Sequence, residues 1–190
     1  FLREQSFDEY TSNGWKVNVN GVPLAAGEQT GVGQADAPEG SRQDVTINIT
    51  VKGGNDEHLF SVGQPLQTDQ PADARVGADA ADVSSLEPDG NLVDGDTYSV
   101  TGSVAIPSVE QLNAAGTDYP QWVMDRYLQV PEDLPDRVGS KAREVTTGAS
   151  TPYEQALAVQ QYLRTFPNDY NVPTTPPGRD TVDFFLFDVQ

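Results

Sequence analysis

The feature that most constrains the fold of this chain is a change of hydrophobic period at Pro107. Before it, segments such as 44–52 and 97–106 alternate apolar and polar residues, the period of two that is typical of strands with one buried face. After it, apolar residues recur every three or four positions between prolines and glycines, which predicts helices. The sequence therefore predicts an α+β fold in which strands and helices are segregated along the chain.

The first part, residues 1–107, is predicted to be a β-rich flanking domain. Its expected strands lie at 15–19, 44–52, 58–62, 83–86 and 97–106. Segment 20–43 is rich in small and polar residues and is expected to be a long surface loop, while 63–82 has only weak strand character. Short strands with frequent turns predict an antiparallel sheet or a sandwich.

The second part, residues 108–190, is predicted to be mostly helical. Its expected helices lie at 108–115, 120–130, 135–148 and 151–166. The last has the clearest start, because Thr151 can cap it, Pro152 fits the first helical position and Glu154 completes a capping box. A dense apolar segment, Phe184–Phe187, follows a proline-glycine turn close to the end of the sequence.

The charge is strongly acidic, with 29 Asp and Glu against 11 Lys and Arg and a net charge of −18. Only three lysines are present, and the acidic residues are dispersed rather than gathered in a tail. Molar salt screens self-repulsion beyond about 3 Å, so this composition is typical of a protein adapted to high salt. An ordinary acidic extracellular protein is the alternative. Nucleic acid is not expected as a partner, since phosphate binding needs clustered Lys and Arg.

The sequence contains no cysteine, which excludes disulfides, cysteine metal sites and a cysteine nucleophile within these residues. No apolar run approaches the roughly 20 residues of a membrane span. The chain opens at Phe1 and closes two residues after Asp188, just beyond its most hydrophobic segment. We therefore expect this chain to be a soluble fragment of a longer protein. The sequence does not indicate its oligomeric state.

Three local patterns could carry chemistry. His58 is the only histidine and has no cysteine or second histidine to complete a cluster, so a surface or strand-end role is expected. The segment Asp89–Asp96 resembles a calcium loop, but Val93 stands where an EF-hand needs a ligand, and two Asp-Gly turns explain the pattern better. Asn48-Ile49-Thr50 fits an N-glycosylation sequon and gives weak support to an external location. The sequence thus predicts no catalytic, cofactor-binding or metal-binding residue, and no cofactor.

Three stretches together resemble a known family in their order and spacing. They are Ser6-Phe7-Asp8-x-Tyr10-Thr11-x-x-Gly14-Trp15; Asp94–Val100 with Asp118-Tyr119-Pro120-x-Trp122 and Arg126–Pro131; and Thr151-Pro152-Tyr153 with Tyr162-Leu163-Arg164, Phe166-Pro167 and Pro176-Pro177-Gly178-Arg179-Asp180-x-Val182-Asp183-x-Phe185-Leu186-Phe187. The family is the TgpA-like membrane-anchored transglutaminase-like proteins, which are related to papain. Residues 20–92 contribute little to this resemblance.

The resemblance implies an extracytoplasmic region flanked by membrane helices. In the family a Gly-Tyr-Cys motif follows Phe-Leu-Phe and supplies the nucleophile, and a His and an Asp come later. None of the three is present in this sequence, so no catalytic residue carries over. Residues 108–190 would then be the incomplete, helical start of a transglutaminase-like domain, with Asp180 and Asp183 holding the lead-in to the nucleophile through bonds to backbone amides.

The function implied is that of a non-catalytic portion of a protein whose full length performs cysteine-dependent acyl transfer or peptide hydrolysis. Its partners would be the downstream catalytic region and the membrane helices of the same chain, with surface proteins or peptides as further candidates. The alternatives are a stand-alone extracellular β-sandwich binding module and a degenerate pseudoenzyme. In the fragment, Phe184–Phe187 are expected to pack on the β region, to pair with a neighbouring molecule, or to be poorly ordered.

Overall fold

The chain divides into two compact units. A computed structural model describes residues 2–34, 37–53, 57–168, 171 and 173–189. Phe1–Asp8 and Val17–Ser108 form one unit, called here the β unit; Glu9–Lys16 and Val109–Gln190 form the other, called the helical unit.

Eight strands and five α-helices occur in the described ranges, together with a short 3-10 turn at Gly31–Gln34. The strands are β1 (Glu9–Thr11), β2 (Gly14–Lys16), β3 (Asn20–Leu24), β4 (Arg42–Thr50), β5 (Gln64–Thr68), β6 (Ala72–Val76), β7 (Val83–Pro88) and β8 (Thr97–Ala105). The helices are α1 (Val109–Ala114), α2 (Gln121–Tyr127), α3 (Asp136–Val145), α4 (Pro152–Leu163) and α5 (Thr181–Phe187). The predicted fold class, α+β with an N-terminal region of antiparallel sheet, is confirmed.

The β unit contains two antiparallel sheets of three strands, in the orders β3-β6-β7 and β4-β8-β5. β4 and β8 pair along their full lengths, from Arg42 opposite Ala105 to Thr50 opposite Thr97. The alternation predicted for β4 is observed: Val45, Ile47 and Ile49 are half-buried and the residues between them are exposed. Register is well specified in such a strand, because a shift by one residue would turn its apolar side chains to water.

One hydrophobic cluster draws on both sheets of the β unit. It comprises Leu24, Val32, Val51, Leu59, Leu66, Ala72, Ala74, Val83, Leu86, Leu92, Tyr98 and Val100. Leu86 and Val100 are completely buried, and burying a side chain of this size contributes about 1.5–3 kcal/mol. The β unit therefore has a core of its own.

Two predictions for the β unit are wrong in detail, and a third understates the strands that form. Residues 58–62 form no strand; Ser61 makes only an isolated bridge with Arg3. The supposed loop 20–43 contains β3, and the weak segment 63–82 contains β5 and β6. β3 was missed because only Leu24 of its five residues is buried, so its sequence shows little alternation. Its strand conformation comes from pairing with β6, a tertiary effect that local pattern does not reveal.

The helical unit contains the four predicted helices, each beginning where a cap or a proline was recognised. At α4, Thr151 Oγ1 accepts a hydrogen bond from the Glu154 amide at 3.2 Å, and Glu154 Oε2 accepts one from the Ser150 amide at 2.6 Å. Helix α4 ends at Leu163, three residues earlier than predicted. The apolar segment after the proline-glycine turn forms the additional helix α5.

The division predicted from sequence falls between residues 107 and 108, and the second of the two compact units takes up the chain at Val109. The hairpin β1–β2 does not follow this division. It comes early in the chain but belongs to the helical unit, whose helices begin about a hundred residues later. The reason lies in the contacts that this hairpin makes with the start of α5. Within the described residues, no helix combines the length and apolarity needed to cross a membrane.

Candidate functional site

The best-defined cluster of polar side chains surrounds the start of α5. Asp180 caps this helix, its Oδ1 accepting a hydrogen bond from the Asp183 amide at 2.8 Å. Its other oxygen accepts from the Tyr10 hydroxyl at 2.9 Å, and the same hydroxyl accepts from the Val182 amide at 3.2 Å. The backbone carbonyl of Ser12 accepts from the Thr181 amide at 2.9 Å. The hairpin and the first turn of α5 are thus joined by both side-chain and backbone bonds.

A second set of contacts joins α5 to Arg137 and Arg179. Arg137, in α3, donates two hydrogen bonds to the Asp183 carboxylate and a longer one of 3.3 Å to Asp188. Arg179 donates to Asp183 Oδ2 at 2.9 Å and to Asp188 Oδ2 at 2.7 Å. Two cations therefore bridge the first turn of α5 and its C-cap. We call Arg137, Arg179, Asp183 and Asp188 the α5 clamp.

The arginines of the α5 clamp also lie against aromatic rings of the helix. The Arg137 guanidinium is 4.4 Å from the centroid of the Phe187 ring, and that of Arg179 is 5.9 Å from the Phe184 ring. Guanidinium groups in this position gain from the negative face of the ring. Asp183 is the buried member of the clamp, with a side chain 4% exposed, whereas both arginines are partly open to water.

Asp180 behaves as the sequence predicted, binding a backbone amide at the start of the helix. The same prediction is wrong for Asp183, whose carboxylate binds the two guanidinium groups. The expectation that Phe184–Phe187 find no packing partner in their own part of the chain is also wrong. Phe185 lies 5.1 Å from Phe166, between ring centroids, and Leu186 is buried, so this segment packs within the helical unit.

Helices α3, α4 and α5 enclose an apolar groove of about 290 Å³. Its lining comprises Val138, Lys141, Ala142, Val145, Val159, Tyr162, Leu163, Val182, Phe185 and Leu186. A smaller polar cleft of about 210 Å³ lies where Ser12, Asp133, Arg179 and Asp180 come together. Every carboxylate that lines this cleft already has a hydrogen-bond partner in the protein.

The chemistry open to this cluster is limited. The pKa of Tyr10 is raised to about 12, and burial of the phenol is the largest cause. The hydrogen bond from Arg137, followed by that from Arg179, holds the pKa of Asp183 below its ordinary value. Near neutral pH the phenol therefore stays protonated and the carboxylate ionised, so neither exchanges a proton readily. The cluster is built to fix the position of α5 rather than to react.

His58 lies in the β unit among charged side chains. Its Nδ1 is 3.3 Å from Glu4 Oε1 and its Nε2 is 3.9 Å from Glu87 Oε1. Glu87 is itself bound by Arg75. The sequence favoured a surface or strand-end role; the strand-end part is wrong, because no strand begins there, and the side chain is only 17% exposed beside these two glutamates. In the parts of the chain that the structure describes, no three His, Asp or Glu side chains are grouped so as to hold a metal ion.

The segment Asp89–Asp96 has the geometry of turns. Asp94 Oδ1 accepts a hydrogen bond from the Gly53 amide at 2.8 Å, and Asp96 Oδ2 accepts one from the Val93 amide at 2.8 Å. These carboxylates are occupied with backbone amides, as in Asx turns. The preference for Asp-Gly turns over a calcium loop agrees with this arrangement. Asn48, in the sequon, is exposed on β4.

Sequence reasoning missed Tyr10, Arg137 and Arg179 as parts of this cluster. A local signal existed for Arg179, which lies four residues before Asp183 in a segment that becomes helical. Arg137 is 46 residues from Asp183 and Tyr10 is 170 residues from Asp180, so no local pattern could have joined them.

No model of a known protein family matches the chain. Among curated proteins, the sequence is 23% identical over 202 residues to YebA, an uncharacterized protein of Bacillus subtilis strain 168. The match spans 100% of this chain and 27% of YebA.

Among solved structures, the α+β arrangement is similar to that of a bacterial periplasmic domain. That domain belongs to TgpA from Pseudomonas aeruginosa, crystallised bound to ethylmercury; the TM-score is 0.54 and the identity 19%. The match covers 99% of this chain and 59% of the TgpA chain. At this identity the likeness is one of fold. The chain spans about a quarter of YebA and about three fifths of the TgpA domain.

Proposed function

We propose that this chain is the non-catalytic, N-terminal portion of an extracytoplasmic TgpA-like protein with a transglutaminase-like domain. One observation carries the proposal: the fold likeness extends over 99% of this chain but only 59% of the TgpA periplasmic domain, and these 190 residues hold no cysteine. The nucleophile would then belong to the part of the parent protein that this chain does not match.

In the parent protein, a cysteine thiolate would attack an acyl group and form a thioester, which an amine or water then resolves. The contribution proposed for this chain is mechanical. The α5 clamp and the Tyr10–Asp180 bond fix α5 at its first turn and at its C-cap, and α5 would lead to the helix that carries the nucleophile. A rigid lead-in matters because misplacing a reacting group by about 1 Å can cost two orders of magnitude in rate.

The proposal places the chain on the outer side of the membrane, anchored through other segments of the parent. Its proposed partners are the catalytic region and the membrane helices of that parent, with surface proteins or peptides as further candidates. The β unit, with its own core, would be a flanking domain that positions the catalytic part.

The test has two arms. The purified 190-residue chain should show neither amine transfer nor peptidase activity, and clear turnover by it would overturn the proposal. The parent gene should encode Gly-Tyr-Cys in frame soon after Gln190, and replacing that cysteine by serine in the parent should abolish turnover. A parent with the cysteine but with unchanged activity after its replacement would also contradict the proposal.

One observation favours a second candidate function, a stand-alone extracellular binding module. The buried cluster of the β unit is drawn entirely from that unit, so it has the means to fold by itself. The same gene sequence separates the two candidates, because a stop codon in place of the cysteine-bearing segment would favour the module.

A further inference from the structure

We propose that Asn48 is an N-linked glycosylation site and that its glycan covers the open edge of the sheet β4-β8-β5. This inference rests on the proposed function in one respect: transfer of a lipid-linked oligosaccharide to Asn48 needs a chain that lies outside the cytoplasm. It adds to the proposed function a modification of Asn48 and a role for that modification in covering the edge of the sheet.

The geometry of β4 exposes the two polar residues of the sequon, Asn48 and Thr50. Side chains alternate along a strand, so Asn48 and Thr50 lie on one face and Ile49 on the other. Asn48 and Thr50 are exposed, whereas Ile49 is half-buried and packs against the core cluster. Asn48-Ile49-Thr50 is also the only Asn-x-Ser/Thr sequence in the 190 residues.

The Asn48 side chain is available for modification. In the ranges that the structure describes, both side chains are exposed, and neither the Asn48 amide nor the Thr50 hydroxyl makes a hydrogen bond with the protein. A neighbouring residue on the same face differs, since Thr46 Oγ1 is bonded to Thr101 Oγ1 at 2.8 Å. A glycan on Asn48 would thus displace no existing contact.

The backbone at Asn48 faces outward as well. Among the strands that the structure describes, β4 is an outer strand, paired only with β8 in this sheet. The amide of Val51 donates to Asp96 and the amide of Ile106 donates to Ser41, so odd-numbered positions of β4 bond to β8. In an antiparallel pair the alternate positions point away from the partner. The N–H and C=O groups of Asn48 therefore lie on the open edge.

An open edge of this length has a cost. β4 has nine residues and alternates apolar with polar side chains, which makes it a template for pairing with a strand of another molecule. Asn48 is the seventh of the nine residues of that strand, and a bulky hydrophilic group there would block such pairing. The glycan would prevent edge-to-edge pairing here, as an edge lysine or proline does in many other sheets.

The bond changes balance without an oxidant or a reductant. The donor is an oligosaccharide linked to a polyprenyl phosphate or diphosphate. The side-chain nitrogen of Asn48 forms a bond to the anomeric carbon, and the bond from that carbon to the phosphate oxygen breaks. The lipid phosphate leaves with the electron pair, and the nitrogen loses one proton to a base of the transferase. The Thr50 hydroxyl is the group recognised two residues further on.

The modification is tested on the full-length protein isolated from the cells that make it. Trypsin cleaves after Arg42 and Lys52 and releases residues 43–52, a peptide with this one sequon. We expect that peptide to carry a glycan mass in the native protein and in Thr50→Ser, and to lose it in Asn48→Gln and Thr50→Val. Thr46→Val is the matched control and should keep the glycan. An unmodified peptide in the native protein would overturn the inference.

Protease treatment of intact cells, done on the same sample, separates this inference from the proposed function. If external protease degrades the β unit while residues 43–52 are unmodified, the glycosylation inference fails and the proposed location stands. If external protease does not reach the protein in unbroken cells but does after lysis, the proposed function fails.

The edge-covering role has its own readout. Light scattering at rising protein concentration should show self-association of Asn48→Gln, and the glycosylated protein should stay monomeric. Asn48→Lys lacks the glycan but puts a charge on the same edge, so it should also stay monomeric. If Asn48→Gln is as monomeric as the native protein, the glycan has no such role.

Discussion

At the scale of single residues, Asp183 is the centre of the α5 clamp. Its side chain is buried and ionised, and it accepts hydrogen bonds from Arg137 and Arg179. Asp183→Asn keeps the shape but removes the charge, so we expect the free energy of unfolding of the helical unit to fall by about 1–3 kcal/mol. Tryptophan fluorescence during urea unfolding is the measurement, because both tryptophans of the chain, Trp15 and Trp122, lie in this unit.

Asp188→Asn is the matched control for that substitution. Asp188 binds the same two arginines, but its side chain is 38% exposed. Exposed pairs contribute only about 0–1 kcal/mol because water screens them. An equal loss from both variants would mean that burial does not set the strength of the clamp.

The contribution of the Asp183 carboxylate should also appear in the pH dependence of stability. The guanidinium groups hold the pKa of Asp183 below its ordinary value of 3.8. Since the unfolded chain then binds a proton more readily than the folded one, this contribution is present above pH 3.8 and is lost as pH falls through the lowered pKa. The difference in unfolding free energy between the native chain and Asp183→Asn should therefore shrink in that acidic range. A difference that is constant with pH would contradict this account.

Tyr10 carries the opposite pH signature. Burial raises its pKa from 10.0 to about 12, so the hydroxyl stabilises the folded state fully below pH 10 and loses that effect as pH rises towards about 12. Tyr10→Phe should remove one tyrosinate transition near pH 12 from an absorbance titration. It should also cost about 1–3 kcal/mol, since the buried Asp180 oxygen loses its donor. A native titration with every tyrosine ionising near pH 10 would be inconsistent with this burial.

At the scale of elements, two glycines should respond to alanine in opposite directions. Gly102 lies in β8, where a Cβ would overlap the carbonyl oxygen of Val62. Gly102→Ala should destabilise the β unit by about 1–3 kcal/mol or more.

Gly139 lies inside α3, where a Cβ would meet only the flexible end of Arg143 at 3.5 Å. Gly139→Ala should stabilise the helical unit by about 0.5–1 kcal/mol. Urea midpoints from far-UV circular dichroism compare the two, and a stabilising Gly102→Ala would refute the packing described for β8.

The elements that sequence predicted are those whose signals are local. The Thr151–Glu154 cap and the alternation of β4 depend on residues a few positions apart, and both appear in the structure. β3 shows why other elements were missed: four of its five residues are exposed, and it is a strand because it pairs with β6, about fifty residues later. Local propensity is a weak guide in such strands.

The candidate site was less predictable than the fold for the same reason. Asp180 could be predicted as a cap because its partner amide is three residues away. The hairpin that holds α5 and the arginine that clamps it come from distant parts of the chain, Tyr10 and Arg137. The sequence resemblance included both the hairpin and α5, but only the structure shows that the two are in contact.

At the scale of the whole molecule, charge is divided unequally between the units. The β unit has 16 acidic and 4 basic residues, a net charge of −12. The helical unit has 13 acidic and 7 basic residues, a net charge of −6, and it uses two of its arginines in the α5 clamp. Adaptation of this protein to high salt remains a proposal, and this asymmetry gives it a sharper test than the total charge does.

Salt should stabilise the β unit more than the helical unit. Screening relieves self-repulsion in both, since the Debye length falls from about 10 Å at 0.1 M to about 3 Å at 1 M. In the helical unit the same screening weakens the attraction within the partly exposed clamp, which offsets part of the gain. The urea midpoint from circular dichroism in the strand region should therefore rise more steeply with sodium chloride than the midpoint from tryptophan fluorescence. Sucrose of equal osmolality is the control, because an uncharged solute stabilises compact states without screening. Equal slopes for the two signals, or an equal effect of sucrose, would mean that the charge asymmetry does not set the salt response.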